Sequence, residues 1–231
     1  LRSKRKKCFI GTGAMCDPYM HCEEELGLTR ECIALIERYG YGLTVQTKSD
    51  RILKDLDLLI KIQEKAKCVV QMTMTTYDEE LCRILEPHVC TTKRRFEVLE
   101  ILRENGIPTV VLMSPILPFI NDTKENIEGV LHYCVQAGVY GIITFGMGMT
   151  LREGDREYFY QKLDEHFPGM KSRYHHKYGY AYEIPSDHEK ELMTILHRTC
   201  AEYGIECDTE QVFRYLQEFP ENKGYEQLSL F

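Results

Sequence analysis

The sequence predicts an α/β barrel, on three observations. Short apolar runs recur along the chain, four of them close on a polar signature, and segments of helical period lie between them. In such a barrel every parallel strand delivers its last residues to one common mouth, so residues far apart in sequence converge on one ligand. The signatures are Gly11-Thr12-Gly13-Ala14-Met15-Cys16-Asp17-Pro18-Tyr19, Thr47-Lys48-Ser49-Asp50, Thr73-Met74-Thr75-Thr76 and Met113-Ser114-Pro115-Ile116-Leu117-Pro118. Their convergence describes a cofactor site.

The apolar runs are Phe9-Ile10, then residues 43–47, 68–72, 109–113 and 142–145. They are short, rich in β-branched residues and without strict alternation, which predicts strands covered by helices on one side and packed inside on the other. Between them, Leu28, Cys32, Leu35, Ile36 and Tyr39 form an apolar stripe ending at Gly40, and Leu53, Leu56, Leu59 and Ile60 form another. Thr76 with Glu79 makes a capping-box pattern ahead of Leu81, Ile84 and Leu85, and Pro87 closes that helix. Phe96, Leu99 and Leu102 run to Gly106; Asp122 with Glu125 opens the stripe Ile127, Val130, Leu131 and Cys134, which stops at Gly138. The repeating unit is strand, loop, helix.

At 231 residues with 43% hydrophobic content, the chain can bury one sizeable core, and no Pro/Gly/Ser-rich linker divides it. The reading is a barrel domain over residues 1–145 and a helical C-terminal extension over 146–231, with helices near 156–167 and 186–203. The second carries Leu192, Ile195, Leu196 and Thr199 on one face. No apolar run is long enough to span a bilayer and no signal-peptide pattern opens the chain, so no membrane partner and a cytoplasmic location are expected.

Ten cysteines are present, but none stands at Cys-x2-Cys or Cys-x3-Cys spacing, so no local metal knuckle can be written from the chain and no metal ligands are assigned. Cys32, Cys68 and Cys134 sit in apolar stripes or strands, where a thiol acts as a small hydrophobe. Cys16 and Cys22 are the closest pair. Lys48, a lone cation at a strand end, suits an anion contact or a solvated helix entrance. Asp17-Pro18 suits a turn, since Asp accepts backbone hydrogen bonds and Pro fixes φ, or a site contact. Thr73 and Thr75 are also ordinary strand residues.

The net charge of −7 excludes a whole-molecule electrostatic trap for nucleic acid. Two patches run the other way. Arg2, Lys4, Arg5, Lys6 and Lys7 open the chain, and Lys171, Arg173, His175, His176 and Lys177 interleave with Tyr174, Tyr178, Tyr180 and Tyr182. Cations neutralise phosphates and tyrosine rings stack on unpaired bases, so the second patch suits nucleic acid; its alternative is a solvated loop with tyrosines docked on the barrel.

Taken in order, the first signature, Leu28-Thr29-Arg30, Thr47-Lys48-Ser49-Asp50, Asp55-Leu56-Asp57-Leu58-Leu59, Glu86-Pro87 and Pro115-Ile116-Leu117-Pro118 resemble the radical S-adenosylmethionine (SAM) superfamily, in the branch related to spore photoproduct lyase and termed DNA repair photolyase-like. The resemblance implies a partial (β/α)6 TIM-like barrel holding a [4Fe-4S] cluster and SAM at its mouth. There an external electron donor drives reductive cleavage of SAM to a 5′-deoxyadenosyl radical, which abstracts hydrogen from substrate. The family's cluster loop, Cys-x3-Cys-x2-Cys after the first strand, does not occur here. By the resemblance, the barrel lacks its first strand, the cluster ligands are expected upstream of Leu1, and the chain alone is expected to be inactive.

Carried over by position, the resemblance places Cys16 and Asp17 beside the methionine part of SAM, Lys48 at its carboxylate or ribose, Thr73 near the ribose and Ser114 beside the cofactor. Cys16 departs from the lyase's serine, and the lyase's hydrogen-donor cysteine falls at Ala14. No catalytic residue is assigned. The implied function is radical chemistry on nucleic acid, with a small molecule or protein as the alternative substrate and a non-catalytic binding module as the alternative class. Gln227, Leu228, Ser229, Leu230 and Phe231 resemble the peptide by which bacterial repair proteins dock on the DNA sliding clamp; an apolar tail can equally fold back on its own domain.

Overall fold

The computed structural model describes residues 7–219. Arg2, Lys4, Arg5 and Lys6 of the basic opening, and the whole of the clamp-like tail, lie outside the described residues. The chain runs β1 (Phe9–Thr12), α1 (Glu23–Leu26), α2 (Leu28–Arg38), β2 (Gly42–Thr47), a 3-10 turn (Asp50–Asp55), α3 (Leu56–Lys65), β3 (Cys68–Thr73), α4 (Glu79–Leu85), α5 (Thr92–Glu104), β4 (Thr109–Leu112), α6 (Lys124–Ala137) and β5 (Gly141–Ile143). It continues through β6 (Gly148–Thr150), α7 (Asp155–His166), α8 (Met170–Tyr178), β7 (Glu183–Pro185), α9 (Glu189–Tyr203) and α10 (Thr209–Gln217).

Strands β1 to β5 form one parallel sheet in sequence order. Helical crossovers return each strand beside its predecessor, the arrangement that right-twisted strands and right-handed helices favour. The sheet is open, with β1 and β5 at its edges, and this is the partial α/β barrel that the strand-loop-helix repeat predicts.

Its two faces differ more than the sequence suggests. Leu43, Val45, Val70, Met72, Val111 and Ile142 point outward into the main core, where helix residues such as Ile36, Leu59, Leu99, Leu102 and Leu131 cover them. On the other face Thr44, Gln46 and Gln71 are only half-buried, and Gln71 Nε2 donates to Thr44 Oγ1 at 2.9 Å. Strands packed on both sides were expected; β2 instead alternates, while β3 is buried on both faces except at Gln71, and the half-buried polar positions of the two strands lie together on the inner face. Helix α10 covers part of that face, setting Val212 and Leu216 against Val69, Val110 and Ile143.

Three local readings are corrected. In α2 the buried residues are Ile33 and Ile36, whereas Leu28, Cys32 and Leu35 are exposed, so the stripe turns away from the expected phase. Helix α4 is capped by Asp78, which accepts from Leu81 N, because the Thr76 hydroxyl is buried against Asn121. Helix α6 is capped by Thr123, not Asp122, whose carboxylate takes the Ser186 hydroxyl at 2.5 Å.

The extension does two things. Leu192, Ile195, Leu196 and Cys200 of α9 join the main core, and Glu206 then bridges Gly141 in parallel at the β5 edge. A Cβ on Gly141 would stand 2.8 Å from the Glu206 carbonyl oxygen, so this close approach needs glycine. Between β5 and α9, the antiparallel pair β6–β7 with α7 and α8 buries its own cluster of Leu151, Tyr160, Leu163, Tyr174 and Ile184.

Candidate cofactor site at the strand ends

The site starts where β1 leaves the sheet. A Cβ on Gly13, at φ 96°, would lie 1.9 Å from the Gln46 carbonyl oxygen, so the β1 tail runs against β2 as only glycine allows. Four residues on, the Asp17 carboxylate accepts the N–H of Lys48 at 2.7 Å and of Tyr19 at 2.9 Å, and Thr47 Oγ1 lies 2.7 Å from Oδ1. Asp17 thus makes the turn that Asp-Pro suggests and also fastens the ends of β1 and β2 together. Cys16 and Cys22 are both exposed.

Lys48 follows the end of β2 and reaches the α4–α5 connection. Its Nζ is 2.5 Å from Glu86 Oε1, while Glu86 Oε2 takes Arg95 Nη1 at 2.7 Å. Arg95 is fully buried and also donates to the carbonyls of Thr73 and Cys90, each at 2.9 Å. Burial alone would raise the Glu86 carboxyl, but Arg95 and Lys48 outweigh it and hold it below its ordinary value. Thr73 is buried on the face of Gln71, and Lys48 and Ser114 occupy the positions that continue that face past β2 and β4.

Two asparagines set the loops above. Asn126 Nδ2 donates to the carbonyls of Thr75 and Asn121, both at 2.8 Å, and its Oδ1 accepts Tyr77 N at 2.7 Å. Asn121 Nδ2 donates to the Thr75 carbonyl at 3.0 Å, and its Oδ1 accepts Leu117 N at 2.6 Å. These buried amides tie the Thr-Met-Thr-Thr segment to the Pro-Ile-Leu-Pro segment.

A cleft of about 520 Å³ opens above this frame, with Lys48, Glu86, Thr75 and Asn121 on one side and Phe159 and Phe167 of the extension on the other. A second, of about 590 Å³, lies between the ends of β4 and β5 and the β6–β7 pair; Ser114, Phe145 and Glu189 line it. Pro115 borders both clefts. The expected site residues are therefore distributed. Asp17 and Lys48 meet directly, Thr73 joins them through Arg95, Ser114 faces the neighbouring cleft, and Cys16 is exposed at the rim.

Sequence reasoning missed Arg95, Cys90, Asn121 and Asn126. The Glu86-Pro87 motif was the one available signal for the first two; a buried arginine beside it has no periodic signature. In the tyrosine patch, a helix replaces the loop. Tyr174 is buried and its hydroxyl donates to Pro118 O at 2.6 Å, Tyr178 donates to Pro185 O, and Lys177 pairs with Asp187. Arg173 stacks over Phe119 at 3.8 Å, while Tyr180 and Tyr182 are exposed.

The radical SAM superfamily model matches residues 2–134, more than half of the chain. The chain belongs to the radical SAM superfamily. An uncharacterized protein of Mycobacterium tuberculosis is 26% identical over 205 residues, 89% of this chain and 59% of its own length; the chain thus spans about six-tenths of that relative. An uncharacterized protein of Methanocaldococcus jannaschii is 30% identical over 124 residues, 54% of this chain and 46% of its own. Among solved structures, spore photoproduct lyase complexed with dinucleoside spore photoproduct matches with a TM-score of 0.62 at 13% identity, covering 89% of this chain and 62% of that one. A domain of pyruvate-formate lyase-activating enzyme from Bacteroides vulgatus gives 0.53 at 9% identity, covering 86% and 96%. At these identities the likeness to both structures is one of fold.

The superfamily implies SAM and a [4Fe-4S] cluster, and the residues fit the two unequally. Among the described residues no group of three or more His, Cys, Asp or Glu stands together as metal ligands, so they do not fit the cluster. Of the strand-end groups, the Lys48 ammonium spends one of three donors on Glu86 and lines the first cleft with the others left for a carboxylate, Ser114 lines the neighbouring cleft, and Thr73 is buried and lines neither. No helix among the described residues is long and apolar enough to cross a membrane.

Proposed function

We propose that this chain is the SAM-binding body of a radical SAM enzyme that acts on nucleic acid, and that the thiolate ligands of its cluster stand upstream of Leu1. The observation that carries the reading is the family match over residues 2–134 together with Lys48 fastened at the mouth of the parallel strands. When both groups are bound, such an enzyme cleaves SAM reductively and abstracts hydrogen from its substrate. The residues of this chain would bind and orient SAM: Lys48 its anionic end, with Thr73 near the ribose, Ser114 beside the cofactor and Asp17 holding the first two strand ends in register. Cys16, exposed and a weak donor, would contribute least.

Two features support nucleic acid as the substrate. The fold likeness extends over 89% of the chain to a lyase whose structure holds a dinucleoside photoproduct. The extension also presents exposed Tyr180, whose ring lies 6.3 Å from that of His175, and exposed Tyr182 beside Arg152, a pairing of stacking rings with basic groups that suits unpaired bases. A protein or small-molecule substrate is the second reading, favoured by the likeness to the activating-enzyme domain. The deciding experiment is anaerobic reconstitution of the native protein with release of 5′-deoxyadenosine measured with and without ultraviolet-irradiated oligonucleotide. Stimulation by the oligonucleotide supports the first reading; release that irradiated and plain DNA leave unchanged contradicts it.

A further inference from the structure

We propose that Glu86, held from behind by Arg95, is the positioning residue that sets the Lys48 ammonium at the mouth of the strands; this rests on the reading of Lys48 as a SAM contact. Lys48 is tethered at three points. Its N–H donates to Asp17 at 2.7 Å, its carbonyl accepts the Cys90 thiol at 3.1 Å, and its ammonium lies 2.5 Å from Glu86. Most strand-end lysines swing freely on a four-carbon stem. This one does not.

Two of the three tethers share one anchor. Arg95 is 0% exposed, and its guanidinium holds Glu86 through Nη1, the Cys90 carbonyl through Nε and the Thr73 carbonyl through Nη1. The residue that fixes the Lys48 carbonyl and the residue that fixes its ammonium are therefore both fastened to a single buried cation, which also grips the end of β3. The Glu86 side chain is 12% exposed, so this is no solvated surface pair of the kind that contributes little. It bridges a buried cation that needs a carboxylate and a half-exposed one that lines the 520 Å³ cleft.

The ion pair need not break when ligand arrives. An ammonium has three donors, Glu86 takes one, and the others remain for a carboxylate or hydroxyl in the cleft. Holding the stem in place before binding removes part of the ordering cost that a free lysine would carry into the complex. Glu86 itself borders the cleft, and its role through Lys48 is told from a direct contact by whether its effect survives without the lysine.

The test is a double-mutant cycle on the native protein, read by equilibrium dialysis of SAM and by the acylation rate of Lys48 with acetic anhydride in peptide-resolved mass spectrometry. Glu86→Gln should weaken SAM binding about five- to tenfold and speed acylation of Lys48 about threefold or more, as expected when a preorganising contact is lost. Other lysines should be unchanged. In a Lys48→Ala background Glu86→Gln should change SAM affinity by less than about twofold, since the coupling runs through the lysine. Glu86→Asp keeps a carboxylate charge near Arg95 while shortening its reach toward both cations, and should reproduce both effects if the Gln variant fails to fold. Unchanged Lys48 acylation in both variants overturns the proposal, as does an equal affinity loss with and without Lys48. Unchanged SAM affinity in Lys48→Ala alone overturns instead the reading of Lys48 as a SAM contact; the acylation rates then still decide whether Glu86 positions it.

Discussion

The Asp17 carboxylate accepts the backbone N–H of Lys48 at 2.7 Å, joining the loop after the first strand to the end of the second. The same carboxylate takes Tyr19 N and the Thr47 hydroxyl, so one side chain closes the turn and aligns two strand ends. Asp17→Ala removes all three contacts and leaves a half-buried N–H without its acceptor. A loss of about 1.5–3 kcal/mol is expected, as for hydrogen bonds to a charged group. Urea unfolding measures it; an unchanged midpoint would show that the clasp is incidental.

Asn126 makes a sharper case, because its amide serves three backbone groups at once, two carbonyls and the N–H of Tyr77. Asn126→Ala should destabilise the protein by about 2–4 kcal/mol, since Tyr77 N and the Asn121 carbonyl lose this partner while the Thr75 carbonyl keeps Asn121 Nδ2. The Thr75 and Leu117 segments that frame the cleft should loosen with it, seen as faster amide exchange there than in β2 and β3. Uniform protection would contradict the assignment of these loops to the asparagine pair.

Glu86 carries a pH signature. Its folded carboxyl titrates below the ordinary value because Arg95 and Lys48 outweigh the effect of burial, so the ionised form is bound more tightly by the folded state than by the unfolded chain. That contribution is fully present above the unfolded value, near pH 4.5, and is lost as pH falls through the lower folded value. Stability should therefore decline below about pH 4.5 in the wild type, and less steeply in Glu86→Gln. Parallel slopes for the two proteins would remove Glu86 from the acid response.

The tyrosines of the extension separate into two kinds. Tyr174 is buried with its hydroxyl on Pro118 O, so Tyr174→Phe should cost about 1 kcal/mol of stability and leave oligonucleotide binding alone. Tyr180 is 85% exposed, so Tyr180→Ala should keep stability within about 0.5 kcal/mol. If the surface binds single strands, that variant should weaken oligonucleotide affinity about fivefold or more, as for a lost base stack. Equal affinity in the two variants would leave the exposed rings without that role.

How much of this was legible in the sequence follows from what each residue answers to. The parallel strands were readable because Leu43, Val45, Val70 and Val111 must leave water, and runs of such residues have few other uses. Lys48 was readable as a lone cation at a strand end. The phase of α2 was not, because Leu28 and Leu35 are apolar yet exposed, and the residues that α2 buries are Ile33 and Ile36. The Asp78 cap was hidden behind Thr76, whose hydroxyl serves a residue 45 positions away. Strands β6 and β7 are three residues each and separated by two helices, too short for any period to show. The Glu86–Arg95 pair crosses a chain reversal, and no local rule links the two.

If the strand ends of this chain hold SAM through Lys48, SAM affinity should depend on that ammonium and iron content should not. Both are measured on the anaerobically prepared native protein beside its Lys48→Ala variant. Affinity should fall about tenfold, some 1.4 kcal/mol, with iron content unchanged. Equal SAM affinity in the two proteins would contradict a hold through Lys48.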